Sequence, residues 1–353
     1  MRSDKADELL KCRLAKLLEE KATRGILLLD RPKTRRFARD PLQELAIDMI
    51  LHRGGLVLRS LHGREYMAVS LPECSIEHSI MLLSPGGVEA KADAVYIREH
   101  GRDWARLIDY RLSPIFIIDL SFISWHKHES ELVSLRRQLS TTLGAIRKYL
   151  WDGHMVLSST KPGIAAWLSS YLGRSLVKLT PLTPLDYLQG LDYEKIVLLD
   201  PQAEKDLEPR EVLETDVFII GGIVDKLPQP GLSRILYKLS EESVQPRRIA
   251  LRGRTEGVPK TINGIVEALL LARYKYAGSI EKALIDVMAK HDIMLRLHIE
   301  ILRASRGNET LDPSLYCELK TWLPITWQDF VKAVRKAGLK LKSIEQPSCR
   351  QDW

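Results

Sequence analysis

The stretch DVFIIGGIVDKLPQPGL, residues 216–232, is the most informative segment of the chain. Its first half is almost continuously apolar, which predicts a β-strand buried on both faces that ends on Gly221-Gly222. Ligands of open α/β sheets bind at the carboxyl ends of the strands, and paired glycines there let a ligand approach the backbone closely. Asp225 follows where its carboxylate can point into such a crevice, although a tight turn with a solvated aspartate has the same pattern.

Similar apolar runs on both sides of this segment predict the other strands of one sheet. Together the predicted strands cover residues 115–120, 154–159, 174–179, 195–200, 216–222 and 247–253. Helical patterns separate most of these runs, most clearly at residues 129–149 and 232–240. This alternation is typical of βαβ units, so we predict an α/β domain with a parallel sheet. Its last helix begins near Thr261.

The two ends of the chain have other patterns. The first hundred residues predict a small α+β domain with helices at 3–22 and 41–52, strands at 26–29 and 92–99, and a β-hairpin of 56–61 with 66–71. Beyond Gly278 the periodicity is helical over residues 280–302, and another helix follows Thr326, an N-cap with Asp329 at N3. We therefore predict three domains, at residues 1–105, 106–282 and 283–353.

Composition narrows the class of protein. The chain has 353 residues, 45% hydrophobic and 28% charged, as in an ordinary globular protein. No run of 18 apolar residues predicts a membrane span, and residues 1–20 lack the apolar core of a signal peptide. The four cysteines are far apart and form no CxxC, which indicates neither a zinc site nor a disulfide framework and favours a reduced, cytoplasmic setting. Only two asparagines occur, a composition compatible with a thermophile.

Charge indicates a polyanionic partner. The formal net charge is +7 and the isoelectric point is about 9.1. Basic residues concentrate between Lys11 and Arg39, which includes RPKTRR at 31–36, and again between Lys332 and Lys342. Two basic clusters that flank a neutral middle are what a tRNA-sized partner would use at its phosphates, although solvated surface has the same composition.

Glycine-bearing loops follow three consecutive elements near the end of the α/β region. They contain Gly221-Gly222, Gly253 and GVPKTING at 257–264, the pattern expected for a cofactor held mainly by backbone groups. The first α/β-type strand ends on IIDLSF (117–122) and not on GxGxxG, which argues against a Rossmann site. GxxxxGK[ST], HEXXH and GxSxG are also absent, which disfavours P-loop, zincin and α/β-hydrolase chemistry. Two histidine pairs do not favour a metal site: His126 with His128 has no nearby carboxylate or cysteine partner beyond Glu129, and His291 with His298 are two helical turns apart on a helix face.

Four segments together resemble a known family. They are IIDLSF (117–122), ESELVSLRRQLSTTLGAIRKYL (129–150), DVFIIGGIVD (216–225) and VPKTINGIVEALL (258–270). In order and spacing they resemble the tRNA methyltransferases that act on N1 of the purine at position 9, a branch of the SPOUT superfamily. The resemblance covers residues 106–282, about half of the chain.

The resemblance implies a fold, a cofactor and a site. The fold is an α/β, SPOUT-type parallel sheet with a C-terminal deep trefoil knot, flanked by an α+β N-terminal and a helical C-terminal domain. The cofactor is S-adenosylmethionine, the partner is tRNA, and the protein acts as a monomer without a membrane. The catalytic residue is Asp225. The cofactor-binding residues are Leu199, Ile220, Gly221, Gly222, Ile249, Ala250, Leu251, Gly253, Val258 and Ile262. The family glutamine and a basic residue after it match Gln138 and Arg147, and with charge considered the RNA-binding candidates are Arg35, Arg36, Gln138, Arg147, Lys226 and Lys260.

Departures from the family pattern bear on the target base. Relatives often carry arginine where Thr141 stands, asparagine where Ala145 stands, and His-Asn where Lys226-Leu227 stands. We therefore favour adenosine as the substrate, with guanosine or both bases as alternatives. Asp225 suits either base, because it can take the N1 proton of guanine or stabilise the charge that develops on adenine.

Three other functions remain as alternatives. One is a SPOUT methyltransferase that acts on rRNA or on another tRNA position. Another is an RNA-binding protein with a degenerate knot and no catalysis, which the intact Gly221-Gly222 and Asp225 disfavour. A nucleotide-binding α/β enzyme is the third, and the missing phosphate loops disfavour it.

Overall fold

A computed structural model describes most of the chain. The described residues are 9–20, 25–28, 40–51, 56–58, 64–69, 71–74, 76, 80–84, 95–96, 112–125, 128–173, 175–222 and 244–349. The chain divides into two compact units. Unit 1 comprises residues 1–198 and 215–245, and unit 2 comprises residues 199–214 and 246–353. The three predicted domains remain a prediction.

The helices and strands are numbered here in chain order. The helices are α1 (Leu10–Glu20), α2 (Pro41–Ile50), α3 (Glu129–Ile146), α4 (Pro162–Leu172), α5 (Pro184–Leu188), α6 (Pro209–Glu214), α7 (Ile262–Tyr274), α8 (Ile280–Val287), α9 (Lys290–Ser305), α10 (Ser314–Lys320) and α11 (Trp327–Lys336). The strands are β1 (Gly25–Leu28), β2 (Leu56–Leu58), β3 (Arg64–Val69), β4 (Ile80–Ser84), β5 (Val95–Tyr96), β6 (Ile115–Asp119), β7 (Met155–Ser158), β8 (Lys178–Leu179), β9 (Ile196–Leu199), β10 (Val217–Gly221), β11 (Val244–Arg247), β12 (Thr310–Leu311) and β13 (Lys340–Leu341).

The N-terminal part contains the predicted α+β elements around a five-stranded sheet of order β3-β4-β1-β2-β5. Asp40 caps α2, since its Oδ1 accepts hydrogen bonds from Leu42 N and Gln43 N. The predicted hairpin of 56–61 with 66–71 is wrong. Strand β3 pairs with β4 and β2 pairs with β1, and both pairings are antiparallel.

Two disulfides correct the interpretation of the cysteines. Cys12 bonds to Cys74 in unit 1, and Cys317 bonds to Cys349 in unit 2. The bonded residues are 62 and 32 positions apart, so their spacing has no motif and only the folded chain brings the sulfurs together. Disulfides inside cells are a known exception among hyperthermophiles, which agrees with the thermophile-like composition.

Loss of the Cys12–Cys74 bond is expected to destabilise unit 1. The double variant Cys12→Ser, Cys74→Ser should lose about 4 kcal/mol, the loop-closure value for a 62-residue separation. Thermal unfolding of the variant and of wild type, without reductant, measures the change. The matched pair Cys317→Ser, Cys349→Ser closes a shorter loop and should cost slightly less. Equal unfolding midpoints for wild type and the first variant would contradict the expectation.

The second sheet has six strands in the order β11-β9-β10-β6-β7-β8. Strand β6 pairs in parallel with β7 and with β10, and β7 pairs in parallel with β8, as predicted. Every residue of β6 and β7 is buried, which explains why both strands are apolar without alternation. The core around them includes Ile117, Val156 and Ile219.

Two predicted elements are shifted or divided. The strand predicted at 247–253 instead covers Val244–Arg247, and the following residues form a turn. The helix predicted over 280–302 is two helices, α8 and α9, which separate at Met288-Ala289. The predicted cap Thr326 is confirmed, since its hydroxyl accepts a hydrogen bond from Asp329 N. The helix predicted to begin near Thr261 is α7, and the Thr261 hydroxyl caps it by accepting a hydrogen bond from Gly264 N.

Among the residues that the structure describes, no helix is long and apolar enough to cross a membrane.

Candidate active site

The carboxyl end of β10 lies against the end of β6 in unit 1. Gly221 is in register with Asp119, and the next residue, Gly222, donates its N–H to the Asp119 carbonyl at 2.8 Å. A β-carbon at Gly222 would lie 2.5 Å from Leu120 Cδ2 and 2.8 Å from the Asp119 oxygen, closer than real contacts. A β-carbon at Gly221 would meet no atom of the described residues within 4 Å. Gly222 is therefore required by the close approach of two backbones, whereas no described residue crowds Gly221 in this way.

Asp119 places a buried carboxylate at this strand end. Only 2% of the residue is exposed. Its Oδ1 accepts hydrogen bonds from Ser121 N at 3.1 Å, Ser121 Oγ at 2.7 Å and Ser159 Oγ at 2.8 Å. Its Oδ2 is buried and has no hydrogen-bond partner in the described part of the chain. Asp119 is not among the predicted site residues, although an aspartate that ends an apolar strand is a signal that could have indicated it.

A tight turn in unit 2 carries several predicted cofactor contacts. Leu251 N donates to the Arg254 carbonyl at 2.7 Å, and Arg254 N donates back at 3.2 Å. The central residues, Arg252 and Gly253, both have left-handed backbones, with φ of 49° and 71°. This is the signature of a type I′ turn. The preceding predicted residues Ile249, Ala250 and Leu251 are buried.

Ion pairs fix the chain at the entry to this turn. The guanidinium of Arg247, the last residue of β11, donates from Nε to Glu211 Oε1 at 2.7 Å. Burial alone would raise the pKa of Glu211, but hydrogen bonds from Arg247 and from Glu208 N lower it below its ordinary value. Arg248 pairs with Asp206. Two ion pairs, one to Glu211 on α6 and one to Asp206 before α6, therefore hold the start of the turn.

The following loop packs on helix α9. Arg296 is 1% exposed, and its Nη1 donates to the Glu256 carbonyl at 3.1 Å. Gly257 has φ of 81°, and a β-carbon there would lie 2.8 Å from Arg296 Cβ and 3.2 Å from the Asp292 carbonyl oxygen. The loop leads to Thr261, the cap of α7, and it places the predicted contacts Val258 and Ile262 in buried positions.

Replacement of Gly257 by alanine should disturb this loop. Gly307→Ala is a matched control because Gly307 also has a left-handed backbone, with φ of 86°, but its β-carbon would have nothing within 4 Å. Both variants should lose about 1 kcal/mol from the backbone conformation. Gly257→Ala should lose roughly a further 1–3 kcal/mol from overpacking against α9 and should bind S-adenosylhomocysteine more weakly. Thermal unfolding and calorimetry measure both effects, and identical behaviour of the two variants would contradict the packing argument.

Two other predicted contacts lie at strand ends. Ile220 is buried within β10 in unit 1. Leu199 is buried at the end of β9 in unit 2, and the next residue, Asp200, is also buried. The Asp200 Oδ1 accepts from Gln202 N at 2.9 Å, whereas its Oδ2 has no partner among the described residues. An unsatisfied buried carboxylate oxygen after a strand is the kind of acceptor that a polar cofactor group would use.

The predicted RNA contacts that the structure describes differ in burial and in their hydrogen-bond partners. Arg147 is 4% exposed and pairs bidentately with Asp152, at 2.5 Å from Nε and 2.6 Å from Nη2. The Arg147 guanidinium thus has a carboxylate partner in the protein interior, and its assignment as an RNA contact stays a prediction from the sequence. Lys260 is exposed, and Gln138 is half-buried with Nε2 3.4 Å from Ser134 Oγ.

Four predicted residues lie outside the described part of the chain. They are Arg35, Arg36, Asp225 and Lys226. Their assignments remain predictions from the sequence.

Comparison with characterised proteins identifies the family. A tRNA (adenine(9)-N1)-methyltransferase of Sulfolobus acidocaldarius is 32% identical over 261 residues, 73% of this chain and 80% of that protein. The chain belongs to the tRNA (purine-9, N1)-methyltransferase family. A tRNA (guanine(9)-/adenine(9)-N1)-methyltransferase of Thermococcus kodakarensis is 29% identical over 336 residues, 91% of this chain and 86% of that protein.

Structural similarity supports the same fold. The crystal structure of Sulfolobus acidocaldarius Trm10 in complex with S-adenosylhomocysteine matches with a TM-score of 0.63 and 22% identity, over 94% of this chain and 99% of that one. Residues 152–268 also match a family described as SFM1-like protein arginine N-methyltransferases. The mixed α/β fold with the six-stranded parallel sheet is thus the fold of the Trm10 structure.

Proposed function

We propose that this protein transfers the methyl group of S-adenosylmethionine to N1 of the purine at position 9 of tRNA. The observation that carries the proposal is its 32% identity to an adenine-9 methyltransferase over 73% of the chain. Adenosine is the favoured base, and guanosine or both bases are the alternatives. The enzyme acts in the cytoplasm as a monomer with three domains, at residues 1–105, 106–282 and 283–353.

The strand-end residues suit the cofactor. When bound, S-adenosylmethionine supplies an electrophilic methyl group on a positively charged sulfur. As predicted from the sequence, the residues that would hold it are Gly221-Gly222, Ile249 to Gly253 and Val258 to Ile262, in loops that would form a deep trefoil knot. Within unit 2 the fit is supported by the Oδ2 of Asp200, which has no partner among the described residues, and by the left-handed turn at Arg252-Gly253.

Asp225 is the catalytic residue of this proposal. On guanine its carboxylate takes the N1 proton, which leaves the N1 lone pair free for the methyl group. On adenine N1 already has a free lone pair, and the carboxylate stabilises the positive charge that develops on the ring. Asp225 follows Gly222, whose N–H donates to the Asp119 carbonyl, by three positions in the sequence.

The tRNA must present a base that is normally held in its folded core. The enzyme therefore displaces the purine and recognises the surrounding RNA by shape and by phosphate contacts. Among the described candidates, Lys260 is exposed, Gln138 is half-buried and Arg147 is buried, so Lys260 and Gln138 are the more accessible to RNA. Arg35, Arg36 and Lys226 are proposed from the sequence.

A second candidate function is methylation of a protein arginine. One observation favours it, the match of residues 152–268 to the SFM1-like family. That match covers a third of the chain, whereas the tRNA methyltransferase relatives match most of it.

An assay with methyl-labelled S-adenosylmethionine separates these functions. The protein is incubated with a tRNA transcript that has a purine at position 9, with the same transcript that has a pyrimidine there, with rRNA, and with a protein extract. We expect label only in the purine-9 transcript. Label in protein alone would support arginine methylation, and label in the pyrimidine-9 transcript or in rRNA would contradict the assigned position.

A further inference from the structure

Unit 2 contains an arginine-lined cavity beside the type I′ turn. Its volume is about 390 Å³, within the range of pockets that hold small ligands. The lining residues are Pro201, Arg248, Arg252, Gly253, Arg254, Thr255, Glu256 and Arg303. Four arginines against one glutamate give the wall a formal excess of three positive charges.

The arginines differ in how far the protein neutralises them. Arg248 pairs with Asp206, and Arg303 is 3.9 Å from Glu300 with a side chain that is 62% exposed. Glu300 also accepts from buried Arg296 at 2.8 Å, so it does not fully neutralise Arg303. The Arg254 guanidinium has no ion-pair or hydrogen-bond partner within the described residues. Positive charge is thus left available in the cavity.

The turn is constrained so that it presents these side chains. Arg252 adopts a left-handed backbone that costs a non-glycine residue about 1–2 kcal/mol. The conformation is held because Arg252 N donates to Glu281 Oε1 at 2.9 Å and the guanidinium stacks on Trp322 at 4.6 Å. A rigid turn lowers the entropy cost of an anion that binds to it.

We propose that this cavity binds a phosphate of the RNA backbone, an inference that rests on the proposed function. S-adenosylmethionine is a poor occupant because it carries a net positive charge at neutral pH. Arginine is suited to phosphate because its planar guanidinium donates two parallel hydrogen bonds. A polymeric anion is favoured because α11, in the same unit, exposes Lys332, Arg335 and Lys336 opposite its buried face.

Binding of a tRNA transcript to the full chain at several KCl concentrations tests the proposal. Arg254→Gln and Arg303→Gln should each weaken binding roughly fivefold near physiological salt and lower the salt slope by about one, the effect of one lost phosphate contact. Arg210→Gln is the matched control, since Arg210 is in the same unit, 81% exposed and outside the cavity. It should bind tRNA as wild type does.

Two further measurements distinguish a loss of RNA binding from a damaged cofactor site and from binding of a free anion. Calorimetry with S-adenosylhomocysteine should give wild-type affinity in both cavity variants, which shows that the fold and cofactor site are intact. Inorganic phosphate alone is tested by thermal shift. A phosphate-induced shift that Arg254→Gln removes, with tRNA affinity unchanged, would assign the cavity to a free anion and overturn the proposal.

Failure of this inference is distinguishable from failure of the proposed function. If wild type methylates the tRNA but both cavity variants keep its affinity and salt slope, the cavity does not bind RNA and the function stands. If wild type methylates no RNA while the variants still lose affinity and slope, the cavity assignment stands and the function does not.

Discussion

Gly222→Ala is expected to reduce methyl transfer at least about a hundredfold, the order of loss that follows a displacement of about 1 Å in a catalytic group. The added carbon would lie 2.5 Å from Leu120 Cδ2 and 2.8 Å from the Asp119 carbonyl oxygen. The leucine can rotate, but the carbonyl belongs to buried β6 and cannot move without breaking its strand pairing. The backbone at Gly222 must therefore shift, three positions before Asp225 in the sequence.

The same substitution should also lower stability. The hydrogen bond from Gly222 N to the Asp119 carbonyl, at 2.8 Å, has to lengthen, and overpacking of this kind costs roughly 1–3 kcal/mol. Thermal unfolding, calorimetry with S-adenosylhomocysteine and single-turnover methyl transfer measure the effects.

Gly163→Ala is the matched control. Gly163 lies in α4 of the same unit, and a β-carbon there would have nothing within 4 Å. It should keep wild-type activity and unfold no earlier than wild type, since alanine favours a helix over glycine. Wild-type activity of Gly222→Ala would refute the close-approach argument.

Asp225→Asn is also expected to lower the rate of methyl transfer strongly, by a factor that depends on whether the base is adenine or guanine. On guanosine the rate of methyl transfer should fall about 10²–10⁴-fold, the usual contribution of a general base, because asparagine cannot accept the N1 proton. On adenosine the loss should be smaller, because only stabilisation of the developing charge is removed. Affinity for S-adenosylhomocysteine should be retained. Single-turnover methyl transfer to transcripts with A or G at position 9 measures the difference.

Asp192→Asn removes another carboxylate from unit 1 at an exposed position and should keep wild-type rates on both transcripts. If Asp225→Asn were equally active on the two bases, Asp225 would not be the residue that responds to the N1 proton, and its assignment would fall.

The parallel sheet could be predicted because burial on both faces leaves a distinct pattern. Strands β6, β7, β9 and β10 are short apolar runs without alternation, and all lie within one residue of the predicted limits. The caps Asp40, Thr261 and Thr326 were predictable for a similar reason, since the side chain and the backbone it satisfies are close in sequence.

Features that depend on distant partners could not be predicted in the same way. The disulfides join residues 62 and 32 positions apart, and the pairing of β3 with β4 is a choice among several apolar strands. The predicted strand over 247–253 has suitable residues, but β11 already ends at Arg247 and the chain makes a tight turn at Arg252-Gly253. Arg147 shows that a charge in the sequence does not indicate an exposed side chain, because Asp152 pairs with it in the interior.

The identity of the methylated nucleoside tests the central claim most directly. Two tRNA transcripts that differ only in A or G at position 9 are incubated with labelled S-adenosylmethionine and digested to nucleosides. We predict label in 1-methyladenosine from the A9 transcript, with 1-methylguanosine from the G9 transcript if the enzyme accepts both bases. Label in another nucleoside, or no transfer to either transcript by a protein that binds S-adenosylhomocysteine, would contradict methylation of N1 of purine 9.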